Sequence, residues 1–255
     1  MLSKVKLIIM ACLVWIGGAA IFSASAADSR AVKFNDGWRF ILADSPDMSA
    51  PGFDDSSWRR LSLPHDWAIE GDFSKDNPSG TGGGALPGGV GWYRKTFTLT
   101  PEQRGKNIFI DFDGAYMNST VYINGHKLGT RPYGYASFSY DITPWLNQTG
   151  ENVIAVRVDN AEQPNSRWYS GCGIYRNVWL RSLSDIHIPL WGQHITTPLV
   201  TDTEARIDIA TEIVSKAKKS SSVKQLPGFG IGDKSGYGVE IGVFSAPQMG
   251  IFHVD

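Results

Sequence analysis

Short runs in which apolar residues alternate with polar or bulky neighbours recur between residues 33 and 184, and turn-forming residues separate them. The runs at 108–112 and 154–158 each place an isoleucine, valine or phenylalanine at every second position. A period of two gives a segment one buried face, which is typical of a β-strand. Many short strands between turns, without a sustained helical period, predict an all-β sandwich.

Two connections in this stretch have distinct compositions. Asn124-Gly125 separates two alternating runs, and both residue types tolerate the positive φ of a two-residue turn, so we predict a tight hairpin there. The glycine-rich segment Asp72–Gly91 contains two prolines and is long for a connection inside a compact domain. Such loops are functional or disordered. We interpret its residues Gly80–Gly84, which we call the glycine loop, as a mobile lip of a ligand pocket.

The first residues have the organisation of a secretory signal. Lys4 and Lys6 precede an apolar run from Leu7 to Ile21, and Ala24-Ser25-Ala26 fits a small-residue cleavage site. We expect removal of residues 1–26, which would leave a secreted or periplasmic protein without membrane attachment. The alternative is a membrane anchor, but the apolar run is shorter than the roughly 20 residues that a span needs.

The charge balance favours a neutral partner. Lysine and arginine together number 24 and aspartate and glutamate 25, so the chain has no net field to recruit nucleic acid or an anionic membrane. Nine tryptophans are available to stack on the apolar face of a sugar, although most aromatics are expected in the core. Metal-ligand spacing and the Lys-Ser/Thr of a phosphate loop are both missing, which predicts no metal and no cofactor.

Four motifs occur in a fixed order along the chain. They are LPHDW at Leu63–Trp67, GWYRKTF at Gly91–Phe97, VYINGHKLG at Val121–Gly129 and RWYSGCGIYRNVWL at Arg167–Leu180. Together they resemble the N-terminal sugar-binding domain of glycoside hydrolase family 2, a family of β-galactosidases, β-glucuronidases and β-mannosidases. The resemblance implies a galactose-binding or jelly-roll β-sandwich, followed by a partial immunoglobulin-like β-domain.

We therefore divide the chain into four parts. Residues 1–26 are the signal, 27–184 the sugar-binding sandwich, and 185–214 the start of the immunoglobulin-like domain. Residues 215–255, a lysine and serine run followed by a glycine-rich stretch, do not match the family. We expect this tail to be loosely ordered, and a shifted reading frame is one hypothesis for its origin.

The resemblance also implies a division of labour in catalysis. In this family two glutamates on a (β/α)8 barrel perform retaining hydrolysis, and such a barrel takes at least about 200 further residues. We therefore predict no catalytic residue in this chain, and a partner in the missing barrel of an intact parent enzyme. The resemblance implies a β-galactosidase-like hydrolase, and we expect this chain alone to be inactive. The alternative is a stand-alone carbohydrate-binding module.

The resemblance places the loop before Trp168 against the terminal β-linked sugar. Asn165, Arg167 and Trp168 are the predicted substrate-binding residues, and Trp92 is a predicted aromatic floor behind the glycine loop. Some relatives carry an aspartate where this chain has Ser166, so Asn165 replaces it as the polar candidate. The structural alternatives are a turn role for Asn165, core covering by Trp168 and an ion pair for Arg167.

Three further residues receive structural interpretations. His65 is next to Asp66, but neighbours on an extended segment point to opposite faces, so we predict a histidine bonded to backbone rather than a catalytic dyad. Arg176 is predicted to form an internal salt bridge beside Trp179. Cys172 is interpreted as a packing residue.

Overall fold

The computed structural model of the chain describes residues 31–203 and 205–216. The predicted signal and nearly all of the predicted tail lie outside these residues. The described residues form fourteen strands: β1 Ala31–Lys33, β2 Trp38–Leu42, β3 Arg59–Leu61, β4 Gly89–Thr98, β5 Asn107–Phe112, β6 Ser119–Ile123, β7 His126–Arg131, β8 Phe138–Asp141, β9 Glu151–Asn160, β10 Val178–Leu183, β11 Ile186–His187, β12 Gln193–Val200, β13 Ala205–Thr211 and β14 Val214–Ser215. The described helices are three short 3-10 turns, at Pro46–Ser49, Ala68–Glu70 and Thr143–Trp145.

Two antiparallel sheets form the sandwich. One has six strands in the order β3-β2-β4-β9-β6-β7, and the other has four in the order β1-β10-β5-β8. The longest pairing joins β4 to β9 and runs from Gly89 opposite Asn160 to Thr98 opposite Glu151. The prediction of an all-β sandwich is confirmed. No helix in the described part of the chain is long and apolar enough to cross a bilayer.

The alternating residues form the core between the sheets, as their period predicts. Its fully buried members include Trp38, Tyr93, Ile108, Ile110, Phe112, Val121, Ile123, Ile154, Val156 and Val158. The hairpin prediction is also confirmed, because β6 ends at Ile123, β7 begins at His126, and both turn residues have positive φ. The glycine-rich connection is shorter than predicted, since β4 already begins at Gly89.

A second, smaller cluster covers the outer face of the six-stranded sheet. Met48, Trp58 and Trp92 pack together there. The guanidinium of Arg94 is 1% exposed and connects the sheet to the segment 46–58 that covers it. It donates to the carboxylate of Asp55 at 2.9 Å and to the carbonyl oxygen of Met48 at 2.6 Å. Buried Arg94, together with Arg39, which also pairs with Asp55 at 2.7 Å, thus joins the second layer to the sheet.

After Ser184 the chain forms two further antiparallel pairs. Strand β11 pairs with β14, and β12 pairs with β13, separately from both sheets of the sandwich. Every residue of β12 is exposed. The described residues after Ser184 therefore include β-strands, and the start of an immunoglobulin-like domain there stays a prediction.

His65 is structural, although its ring contacts side chains rather than the backbone that we predicted. Its Nδ1 lies 2.7 Å from the hydroxyl oxygen of Tyr93, and its Nε2 accepts a hydrogen bond from Arg59 at 2.6 Å. The ring is almost fully buried. Burial lowers the pKa of His65 below its usual value of 6.5, and the nearby Glu70 only partly opposes this effect.

This lowered pKa predicts acid sensitivity in a defined window. The unfolded chain binds a proton at His65 more readily than the folded chain, so folding loses stability as the pH falls from about 6.5 towards the folded pKa. We expect the free energy of unfolding, measured in urea at pH 7.5, 6.5 and 5.5, to fall in the unaltered chain and to fall less in His65→Gln. The same decline in both proteins would contradict this assignment.

Candidate functional site

Four exposed aromatic side chains come from two segments, 133–135 and 168–169, which contact each other through Tyr135 and Trp168. Tyr133, Tyr135, Trp168 and Tyr169 are 65%, 42%, 60% and 41% exposed. We call these four residues the aromatic surface. Single exposed apolar residues are common on protein surfaces, whereas a contiguous group of them commonly marks a binding site.

Direct contacts connect three of these side chains. The indole Nε1 of Trp168 donates to the hydroxyl oxygen of Tyr135 at 3.0 Å. The ring of Tyr135 meets the ring of Tyr133 edge-on with centroids 5.6 Å apart, and it meets buried Tyr116 at 5.2 Å. Edge-on packing of this kind fixes ring orientation. The surface therefore has defined faces rather than freely rotating rings.

The loop that precedes Trp168 is held by amide contacts. The Nδ2 of Asn165 donates to Oδ1 of buried Asn160 at 2.6 Å and to the carbonyl oxygen of Glu162 at 3.2 Å. The Oδ1 of Asn165 accepts a long hydrogen bond from Tyr116 at 3.4 Å. Asn165 thus has the turn role that we gave as its alternative, while its exposed Oδ1 retains capacity for a further donor.

Arg167 and Ser166 lie beside the aromatic surface in different states. Arg167 is exposed, and within the described residues its guanidinium has neither an ion pair nor a hydrogen bond. Ser166 is engaged, since its Oγ donates to the carbonyl oxygen of Trp168 at 2.6 Å and lies 2.8 Å from Oγ of Ser170. Of the two, Arg167 is the one that can donate to a ligand.

The structure does not bring Trp92 to this surface. Its indole is 1% exposed and stacks on Tyr122 in the outer cluster, with Nε1 donating to Asp44 at 3.1 Å. Its neighbour Tyr93 faces the opposite side, into the core. Because both faces of β4 are covered, Trp92 cannot serve as the floor of a sugar pocket. We correct that prediction.

A narrow cleft lies next to the aromatic surface, lined by residues from 79–87, 160–163 and 169–172. The glycine loop, the loop before Trp168 and the turn after it therefore meet at one place. The cleft offers about 10 Å³, which is close to the space of one water molecule and far below that of a pyranose ring. A sugar can lie on this site only if it rests on the surface or if other residues enclose it.

Cys172 is buried at the wall of this cleft, as predicted for a packing residue. Its Sγ accepts a hydrogen bond from Nδ2 of Asn160 at 3.1 Å. Burial raises the pKa of the Cys172 thiol to about 12. A thiol with so high a pKa is not a nucleophile at neutral pH.

Asp66 carries a carboxylate close to this cleft, and three groups of the protein already donate hydrogen bonds to it. Its Oδ1 accepts from the backbone N–H of Cys172 at 2.8 Å and of Ala68 at 3.0 Å, and its Oδ2 accepts from the hydroxyl of Tyr169. The described residues contain no group of three or more His, Cys, Asp or Glu that could hold a metal ion.

Within the part of the chain that the structure describes, Arg176 does not form the predicted salt bridge. It is exposed, and the buried ion pair on this sheet joins Arg181 to Asp111 instead. We expected the salt bridge of Arg176 to lie beside Trp179, but the indole Nε1–H of Trp179 donates to Asp113 at 3.0 Å. The prediction for Arg176 is therefore wrong.

Comparison with known proteins decides the family. The model of the glycosyl hydrolase 2 galactose-binding-like domain matches residues 90–176, which include three of the four motifs wholly or in large part. The chain carries the galactose-binding-like domain of glycosyl hydrolase family 2. The family 2 domain thus contains the loop before Trp168, the aromatic surface and most of the sandwich.

Three relatives of the family 2 domain carry the names of glycosidases. The β-galactosidase BoGH2A of Bacteroides ovatus is 58% identical over 206 residues, covering 81% of this chain and 24% of that protein. A solved β-glycosidase of Bacteroides vulgatus is 44% identical with a TM-score of 0.71, covering 74% of this chain and 25% of the other. A β-glucuronidase of Bacteroides uniformis is 34% identical with a TM-score of 0.66, covering 73% and 22%. The chain therefore spans about a quarter of the length of these relatives.

Sequence reasoning missed Tyr133, Tyr135 and the role of Asp66. A signal for the tyrosines exists in Pro132-Tyr133-Gly134-Tyr135, where two aromatics flank a glycine directly after a strand. The signal for Asp66 is weaker, because two of its three partners, Tyr169 and Cys172, lie 103 and 106 residues away in the chain. Only the fold brings them together.

Proposed function

We propose that this chain is the saccharide-facing N-terminal portion of a retaining glycoside hydrolase that acts on a terminal β-linked sugar. The observation that carries the proposal is the aromatic surface on a family 2 domain. Beside it lies Arg167, whose guanidinium has no partner among the described residues. Tyrosine and tryptophan rings stack on the apolar face of a sugar, and a guanidinium donates to its hydroxyl groups. Residues 1–26 support export of the protein to a secreted or periplasmic location.

The proposal assigns bond cleavage to another part of the protein. Retaining hydrolysis needs two carboxyl groups about 5–5.5 Å apart, one as nucleophile and one as acid and base. Asp66 beside the aromatic surface already accepts three hydrogen bonds, so it is a poor candidate for either role. The narrow cleft supports the same division, since an enclosed sugar site needs additional walls.

A stand-alone carbohydrate-binding module is the second candidate, and the aromatic surface favours it because its rings already contact one another within the sandwich. The two functions predict different affinities. Half of an enzyme pocket should bind methyl β-galactoside only in the millimolar range, about −4 kcal/mol, whereas a module should bind its sugar at least tenfold more tightly. Calorimetry on the purified chain with galactosides and glucuronides separates them.

Trp168→Ala tests the binding surface itself. We expect affinity for methyl β-galactoside, followed by fluorescence or saturation-transfer NMR, to fall about tenfold, because a stacking face of this size is worth roughly 1 kcal/mol or more. The melting temperature should hardly change, since the side chain is 60% exposed. Trp191→Ala is the matched control, because Trp191 is 67% exposed on a different segment. Equal losses in both variants would contradict the assignment.

A further inference from the structure

Asp66 joins two distant parts of the chain behind the aromatic surface. Its carboxylate accepts the backbone N–H groups of Ala68 and Cys172 through Oδ1, and the Tyr169 hydroxyl through Oδ2. One side chain thereby fixes both a turn backbone and an exposed ring. His65, its neighbour in sequence, faces away towards Tyr93 and takes no part.

The local sequence leaves room for this carboxylate. A Cβ on Gly171 would lie 2.8 Å from Oδ2 of Asp66, so only glycine permits the close approach. The ring of Tyr169 also lies against Gly84 of the glycine loop, where an added Cβ would be 3.7 Å from Cδ2. Tyr169 is therefore held between a carboxylate and the glycine loop while 41% of it stays exposed.

An exposed tyrosine without such a partner would sample several rotamers. Ordering a free side chain on binding costs about 0.5–1.5 kcal/mol, which corresponds to roughly a two- to tenfold loss of affinity. A hydrogen bond made before the ligand arrives removes that cost. The bond from Tyr169 to Asp66 is of this kind, since it needs no ligand to form.

We propose that Asp66 is a positioning residue, which holds Tyr169 and the turn 170–173 in the geometry that the saccharide site requires. This inference rests on the proposed function, because it assigns Asp66 a role in the same site. Asp66 itself does not touch the sugar. It acts through Tyr169 and through the backbone of Cys172.

The test compares Asp66→Asn, Tyr169→Phe and the double variant in the full chain, with methyl β-galactoside and methyl β-glucuronide as probes. We expect each single variant to bind the sugar that the unaltered chain prefers about three- to tenfold more weakly, and the double variant to bind no more weakly than Asp66→Asn. Asp202→Asn, in the turn between β12 and β13, is the charge-matched control and should leave affinity unchanged. Tyr169→Phe keeps Asp66 and serves as the informative variant if Asp66→Asn does not fold.

A second readout separates positioning from general support of the fold. Burial and the hydrogen bond to Asp66 raise the pKa of Tyr169. In Asp66→Asn this phenol should ionise at lower pH, seen as tyrosinate absorbance that disappears when Tyr169→Phe is added. Unchanged affinity in folded Asp66→Asn and Tyr169→Phe, while the unaltered chain binds, would overturn the role of Asp66. Absence of binding by the unaltered chain would instead overturn the proposed function, and this inference with it.

Discussion

Gly173→Ala is expected to lower the free energy of unfolding by roughly 4 kcal/mol. Gly173 has a φ of +120, which an L-residue rarely adopts. An added Cβ would lie 2.7 Å from the carbonyl oxygen of His65 and 3.2 Å from the Trp67 ring, and would overlap the hydroxyl oxygen of Tyr93. These neighbours are buried and cannot move aside without disturbing the core.

Gly150→Ala provides a control for the backbone contribution. Gly150 has a φ of +103, but an added Cβ would meet nothing within 4 Å. We expect this variant to lose only about 1–2 kcal/mol, the cost of the unfavourable φ alone. Urea unfolding of both variants measures the difference. Similar losses at the two positions would contradict the close packing that we assign to the turn beneath Trp168 and Tyr169.

Asp55→Ala is expected to cost about 3 kcal/mol, because it leaves the buried guanidinium of Arg94 without its carboxylate. Arg94 is 1% exposed and Asp55 is 16% exposed, so solvent cannot replace the lost partner at the buried end. The carbonyl oxygens of Met48 and Ala50 remain as acceptors, but they carry no full charge. Release of the segment 46–58 should also expose Trp92, which its fluorescence would report.

The matched control for this prediction is Glu70→Ala. The pair of Glu70 with Arg59 has a similar distance of 2.9 Å, but its side chains are 43% and 51% exposed. Exposed ion pairs contribute little, so we expect a loss below about 1 kcal/mol. If the two variants lose equal stability in urea, burial of Arg94 does not have the importance that we assign to it.

The sandwich could be predicted from the sequence because the patterns that specify its strands and turns are local. Alternation at 108–112 and 154–158 placed the core, and Asn124-Gly125 placed a hairpin through the φ values that those residues accept. The four motifs indicated the family. Each of these signals lies within a few neighbouring residues and needs no knowledge of distant contacts.

The errors arose where the answer depends on distant contacts. Alternation along β4 shows that Trp92 and Tyr93 face opposite sides, but not that the segment 46–58 covers the outer side. Likewise, the sequence does not reveal that β10 begins at Val178, which places Arg181 rather than Arg176 near Asp111. Asp66 escaped attention for the same reason, because its partners come from the far end of the domain.

Under the function that we propose, this chain shapes a saccharide site, and the carboxylates that cleave the bond belong to another domain. The most direct test replaces the matching segment of Bacteroides ovatus BoGH2A, 58% identical over 206 residues, with that of this chain. We predict that the hybrid releases nitrophenol from nitrophenyl β-galactoside with a kcat/KM within about tenfold of that of BoGH2A. Adding Trp168→Ala to the hybrid should lower its kcat/KM by about a further tenfold. The present chain alone should not exceed the rate in buffer. A folded but inert hybrid, or nitrophenol release by the chain alone, would contradict the account.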